Sequence, residues 1–193
     1  KVRHECTPLE GLTAAAGDSV QIVYERGYVG DVTGFLDGVS TGQDLRESRS
    51  AEQLVSDAVK AASEADAVIF VGGLNKAHGN DSEGSDRLSL SLPYGQDSLI
   101  EALAGANPNL AVVLVSGNAV AMPWVETVPA IVQAWYLGSQ AGYALADVLF
   151  GNVNPSGKLP FTFPVRLEDN GAHATGSYSA ESLTANYAEG IYV

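Results

Sequence analysis

An α/β fold, specifically a three-layer sandwich with a mainly parallel sheet and helices on both faces, is the class this sequence predicts. Two observations carry the expectation. Apolar runs with no polar interruption, Ala67 to Val71 (AVIFV) and Ala111 to Val115 (AVVLV), each close on small residues, Gly72-Gly73 and Ser116-Gly117. Strands covered on both faces read this way, because neither side of the strand meets water. Segments with apolar residues at helical spacing alternate with those runs, and alternation of strand and helix builds a parallel sheet covered on two sides.

The elements follow in order. Val20 to Tyr24 (VQIVY) has the composition of a short buried strand, and the Gly- and Asp-rich stretch after it has no sustained period. Ser50 suits a helix N-cap, and Ala51, Leu54, Val55, Ala58, Val59 and Ala62 continue at helical spacing to about Ala65. After the strand at Ala67 to Val71 comes a polar segment from Leu74 to Pro93, well beyond the usual short strand-to-helix connection. Tyr94 to Ala106 is helical in pattern, Ala111 to Val115 and Ala130 to Tyr136 are strands, and Gln140 to Phe150 is a helix stopped by Gly151. Leu159, Phe161 and Phe163 alternate in a Pro- and Gly-dense stretch expected to lie extended on the domain edge, and Glu168 to Asn186 has the composition of a mobile surface loop.

At 193 residues, with 46% apolar and 17% charged residues, the chain suits one globular domain and falls short of two. Its formal charge of −13 disfavours nucleic acid and anionic membrane surfaces as partners. Cys6 is the single cysteine, so no internal disulfide forms and the compartment stays undetermined, a secreted or periplasmic one being slightly favoured. No apolar run reaches the roughly 20 residues of a membrane span. The abrupt polar start and the end at AEGIYV are expected to be cuts from a longer chain.

Ligands of open α/β sheets gather outside the carboxyl ends of the strands, which directs attention to the long loop LNKAHGNDSEGSDRLSLSLP. Lys76, His78, Asp81, Glu83, Asp86 and Arg87 crowd there, close enough in sequence to shift one another's pKa values, although a solvated acidic loop has the same composition. Simpler enzyme classes lack their signatures. Neither GxxxxGK[ST] nor GxGxxG after a strand occurs, and His4, His78, His173 and Cys6 have no zinc-site spacing, so no metal or cofactor is expected.

The segment SEGSDRLSLSLPYGQDSLIEAL resembles the pattern of family 3 glycoside hydrolases of the β-glucosidase kind, in which an EGxDR-type element precedes a leucine-rich LP and a Gln-bearing helix. The block from LVSGNAVAMPW through ADVLFG, NPSGKLP and TFP is similar to the sandwich domain of that family, as are TPLEGL and YAEGIYV. Ala119 and Leu137 to Gln140 depart from its commoner turn residues, and the strand that usually opens the sandwich upstream of TPLEGL is missing. The resemblance implies that a (β/α)8-type barrel, absent from this sequence, supplies an Asp nucleophile and most sugar contacts. This domain would then contribute the general acid/base that a retaining glycosidase needs, and the match puts it at Glu83. Carbohydrate and that barrel are the partners implied.

The other loop residues carry weaker expectations. Asp86 and Arg87 read as a local ion pair or loop brace, while His78 and Asp81 line the leaving-group side or stand solvated. Asn80-Asp81-Ser82 is an N-glycosylation sequon of relevance only to a eukaryotic secretory protein. Trp124 and Trp135 are expected in core or interdomain packing rather than as sugar platforms. A non-catalytic flavodoxin-like binding module is the alternative to an enzyme domain.

Overall fold

Three strands, β1 (Val68–Gly73), β2 (Leu110–Val115) and β3 (Ala130–Gln133), form a parallel sheet in that order. Val68 faces Leu110 across the first ladder and Ala111 faces Ala130 across the second. The chain is seen here in a computed structural model that describes residues 4–30, 46–77, 79–82, 84, 86–178, 184, 186–188 and 190–191.

The period of two along β2 divides the core. Leu110, Val112 and Leu114 point to one side, where they meet Leu54-bearing helix α2 (Ala51–Glu64) through Ala58 and Ala62, and α3 (Gln96–Ala106) through Leu99, Ile100 and Leu103. Val113 points to the other, against Ala134 and Leu145 of helix α4 (Ala141–Leu149), with Val71, Val115 and Val132 beside it. Burial of each such side chain contributes about 1.5 to 3 kcal/mol, and both faces of β2 collect it. The chain is therefore the three-layer α/β sandwich that its all-apolar strands predict.

Local chemistry fixes the helix ends. Ser50 caps α2 by accepting from Gln53 N at 3.2 Å. At the far end the buried Asn107 amide donates to the carbonyls of Ala62 (2.9 Å) and Ala65 (2.7 Å), closing α2 from the residue that ends α3. Helix α1 (Pro8–Ala16) starts on a reciprocal capping box: Thr7 Oγ1 accepts from Glu10 N at 3.2 Å and Glu10 Oε2 accepts from Thr7 N at 2.7 Å. The TPLE sequence carries that signal together with Pro at the first helical position, although the pattern reading placed no helix there. A short helix, α5 (Gly171–Ala174), capped by Asn170, lies inside the stretch expected to be a surface loop.

Two strand expectations need correction. Val20 to Tyr24 joins no ladder, and Val20, Val23 and Tyr24 stand 46%, 63% and 62% exposed. The run has the composition of a strand, yet no described strand lies beside it to take its backbone hydrogen bonds. Strand β3 stops at Gln133 instead of running to Tyr136, because Trp135 adopts a left-handed φ of 55° that turns the chain out of the sheet. Its indole then packs edge-on against Phe161 and Phe163, which seats the Pro-rich stretch on the domain edge without a ladder. A left-handed Tyr94 and Gly95 likewise delay α3 to Gln96.

Helices α1 and α4 cross with their backbones touching. A Cβ on Gly142 would sit 2.0 Å from the Thr7 carbonyl oxygen, and one on Gly11 would sit 2.1 Å from the Gly142 carbonyl. On the opposite side of the domain Arg49 gathers three carboxylates. It meets Glu25 and Asp57 at 2.9 Å each and grips Glu47 through Nε (3.2 Å) and Nη2 (3.1 Å). These bonds hold the Glu47 carboxyl down at about 2.

Gly142→Ala should therefore lower stability by about 1 to 3 kcal/mol in thermal denaturation. Gly105→Ala, at an α3 position with nothing within 4 Å, should instead raise it by roughly 0.5 to 1 kcal/mol. Equal effects of the two changes would contradict the backbone contact. For Arg49→Met, the sign follows from a folded pKa below the unfolded one: the stabilisation is complete above about 4.5 and fades as pH falls through about 2. The melting-temperature gap between wild type and Arg49→Met should be widest near neutrality and close across that acid window. A gap independent of pH would show that Glu47 draws nothing from Arg49.

Candidate functional site

The carboxyl end of β1 is built from two glycines that a side chain would ruin. A Cβ on Gly73, at φ 138°, would lie 2.0 Å from the Val115 carbonyl oxygen, and one on Gly72 would lie 2.3 Å from Gln96 Oε1. Fully buried Gln96 uses the space so left. Its Oε1 accepts from Gly73 N at 2.7 Å, and its Nε2 donates to Gly73 O and Pro93 O at 2.9 Å each. The side-chain amide thus pairs with Gly73 as a neighbouring strand would, and the loop leaves the sheet from a fixed point.

Asn75 shapes the next turn. Its Oδ1 accepts from Ala77 N (3.0 Å) and Asn80 Nδ2 (3.1 Å), and its own carbonyl accepts from Asp81 N at 2.9 Å. Asn80 Nδ2 also donates to Tyr94 Oη at 3.2 Å, so the sequon asparagine spends its amide on protein acceptors.

Asp81 is the hub that follows. Its Oδ2 accepts from Gly117 N at 2.6 Å and from Tyr136 Oη at 2.7 Å, and its Oδ1 accepts from Asn118 Nδ2 at 3.0 Å. One carboxylate thereby ties the loop after β1 to the loops after β2 and β3. Arg87 repeats the attachment further on, with Nη1 donating to Ala119 O at 2.7 Å. Its Nη2 is buried and has no partner among the described residues. Burial holds the Arg87 pKa below its usual value, and the charge of Asp81 opposes the shift. Burial first, and then the bond to Asp81, push the Tyr136 phenol far above its ordinary value, so it stays a neutral donor.

Of the residues singled out by sequence, Asp81, Asp86 and Arg87 are described, and Glu83 and His78 lie outside the described residues. Asp86 and Arg87 do not pair with each other, contrary to one expectation. Arg87 braces the β2 loop, and Asp86 accepts from Tyr178 Oη at 2.5 Å. Trp124 is in the core as expected, 1% exposed, with Nε1 donating to Asp97 Oδ1 at 2.9 Å. Tyr136, Asn118 and Gln96 were not anticipated. Gln96 left one trace in the sequence, the Gln-bearing helix of the family resemblance, whereas Tyr136 and Asn118 meet Asp81 across more than thirty residues of chain. Among the described residues no three His, Cys, Asp or Glu side chains converge as metal ligands, and no helix is long and apolar enough to cross a membrane.

The arrangement is an acidic loop fastened at the carboxyl end of a parallel sheet, where α/β proteins hold their ligands. Comparison with known proteins agrees with it. The chain is 50% identical over 195 residues to β-glucosidase BoGH3A of Bacteroides ovatus, an alignment covering 100% of this chain and 25% of that protein. It is 42% identical to thermostable β-glucosidase B of Acetivibrio thermocellus, covering 95% of this chain and 22% of that one. The crystal structure of the Bifidobacterium adolescentis GH3 β-glucosidase superposes with a TM-score of 0.78 at 32% identity, over 99% of this chain and 25% of that one. The chain thus spans about a quarter of the length of these relatives. The sequence pattern of the glycosyl hydrolase family 3 C-terminal domain matches residues 1–193, and the chain belongs to that family.

Proposed function

We propose that this domain, as part of a longer chain, serves a retaining β-glycosidase, a β-glucosidase in the first instance, acting on terminal non-reducing β-D-glycosyl residues. Glu83 is its general acid/base, and an Asp on a barrel domain of the same full-length protein is the nucleophile. The observation that supports this most is the fastening of the Glu83-bearing loop. Asp81 and Arg87, on either side of Glu83 in sequence, are bonded to consecutive residues Gly117, Asn118 and Ala119 at the carboxyl end of the sheet. The relatives named β-glucosidase give the reaction class.

In such a mechanism two carboxyl groups stand about 5 to 5.5 Å apart. The nucleophile attacks the anomeric carbon while Glu83 gives its proton to the departing glycosidic oxygen. Glu83 then removes a proton from water as that water displaces the enzyme carboxylate, which restores both groups and retains the configuration. The first step depends on the acid only when the leaving group is a poor one, since a stable phenolate departs unprotonated. Gly84, at φ 83°, follows Glu83 in a conformation that favours glycine.

In the full-length protein, Glu83→Ala should lower kcat/KM for phenyl β-glucoside by about 10² to 10⁴. For dinitrophenyl β-glucoside it should fall less than about tenfold, and azide should restore turnover as the β-glucosyl azide, because azide needs no base. Equal losses on both substrates, with no azide product, would remove Glu83 from the role. The isolated 193-residue domain, lacking a nucleophile, should hydrolyse neither.

A further inference from the structure

We infer that Asp81 is the positioning residue for the acid/base, acting through a clamp made by the β2 and β3 loops. The inference rests on the assignment of Glu83 above and adds the means by which Glu83 is held.

Three features point to it. First, the stretch from Asp81 to Arg87 is pinned at both ends to adjacent backbone, since Gly117 N and Asn118 Nδ2 donate to Asp81 and Ala119 O accepts from Arg87. Residues 117 to 119 reach only about 7 Å when extended, so both anchors are taken from one short piece of chain at the carboxyl end of the sheet. Second, Asp81 itself is not available to move a proton. Both of its oxygens are occupied, at 2.6 to 3.0 Å, by a backbone N–H, a phenol and an amide. The phenol is a dependable donor because its own ionisation is strongly disfavoured. Third, the anchor is cut to fit. A Cβ on Gly117 would come within 3.0 Å of the Tyr136 ring and 3.3 Å of Asp81 Oδ2, so a larger residue there would wedge the clamp open.

Glu83 lies two residues from Asp81, no more than about 7 Å along the chain. A misplacement of 1 Å in a reacting group can cost about 10²-fold in rate. An anchor this near therefore sets the acid's alignment without touching the sugar. The loss on removing it should fall on the step that needs the acid, which a general loosening of the domain would not mimic.

The test uses the full-length protein with phenyl and dinitrophenyl β-glucosides, alongside Glu83→Ala. Asp81→Ala should lower kcat for the phenyl glucoside about 10- to 100-fold, with kcat/KM for the dinitrophenyl glucoside changed less than about threefold. Asp81→Asn keeps an acceptor for Gly117 and Tyr136 and should recover most of the loss. Tyr136→Phe removes one hydroxyl from a half-exposed ring and should fold even if Asp81→Ala does not; it should repeat the same leaving-group pattern at about three- to tenfold. Equal losses on the two substrates, a rise in KM alone, or full activity of both Asp81→Ala and Tyr136→Phe would overturn the inference. If Glu83→Ala shows leaving-group dependence and these variants do not, the positioning role fails alone. If Glu83→Ala lacks it, the assignment of the acid/base fails first.

Discussion

Everything at the candidate site hangs from the side chain of Gln96, buried between α3 and the end of β1. A parallel strand at a sheet's end normally leaves its last N–H and C=O to water or to a neighbouring strand. Here a side-chain amide pairs with both groups of Gly73 and donates to a second acceptor, Pro93 O, besides. Leaving such buried groups unmatched costs about 1 to 3 kcal/mol each, so the registration of α3 against β1 has little freedom. The next residue, Asp97, extends the constraint by accepting from Leu92 N at 3.0 Å and from the buried Trp124. Two adjacent side chains thereby hold the loop's start, its finish and the segment after β2 in one frame, and only within it can Asp81 and Arg87 meet the β2 loop.

The legible part of the fold was the part governed by apolar pattern. AVIFV and AVVLV predicted their strands to within two residues, and Ser50 marked the start of α2, because burial on both faces and a capping hydroxyl leave local signals. The misreadings came where tertiary partners decide. VQIVY looks like a strand, but pairing requires a neighbour that sequence cannot display. Trp135 looks like strand interior, but it combines a left-handed backbone with packing on Phe161 and Phe163, partners distant in sequence. The α1 capping box, by contrast, is local and is written in TPLE itself.

At the site the contrast is similar. The acidic loop was found from its length and place after a strand, and family resemblance selected Glu83 within it. That Asp81 anchors and Asp86 turns to Tyr178 could not be read, because both partners are distant in sequence. A chain with a formal charge of −13 brings its carboxylates into use by giving them specific donors. Arg49 serves three of them, and backbone, amide and phenol serve Asp81. The two solutions differ in kind: the first depends on opposite charge and weakens with salt, while the second is made of neutral donors and does not.

The crossing of α1 over α4 also bears on how this domain can change in sequence. The Gly142 backbone fills the space beside Gly11, and the Thr7 carbonyl and Cys6 sulfur fill the space beside Gly142, so both glycines serve one close approach. Once a methyl on either has forced the helices apart, a methyl on the other meets less resistance. The two changes are therefore far from additive, and a route from this packing to a wider one has its steepest step at the first substitution. Glycine at both positions is held in place by that one close approach of α1 and its cap to α4.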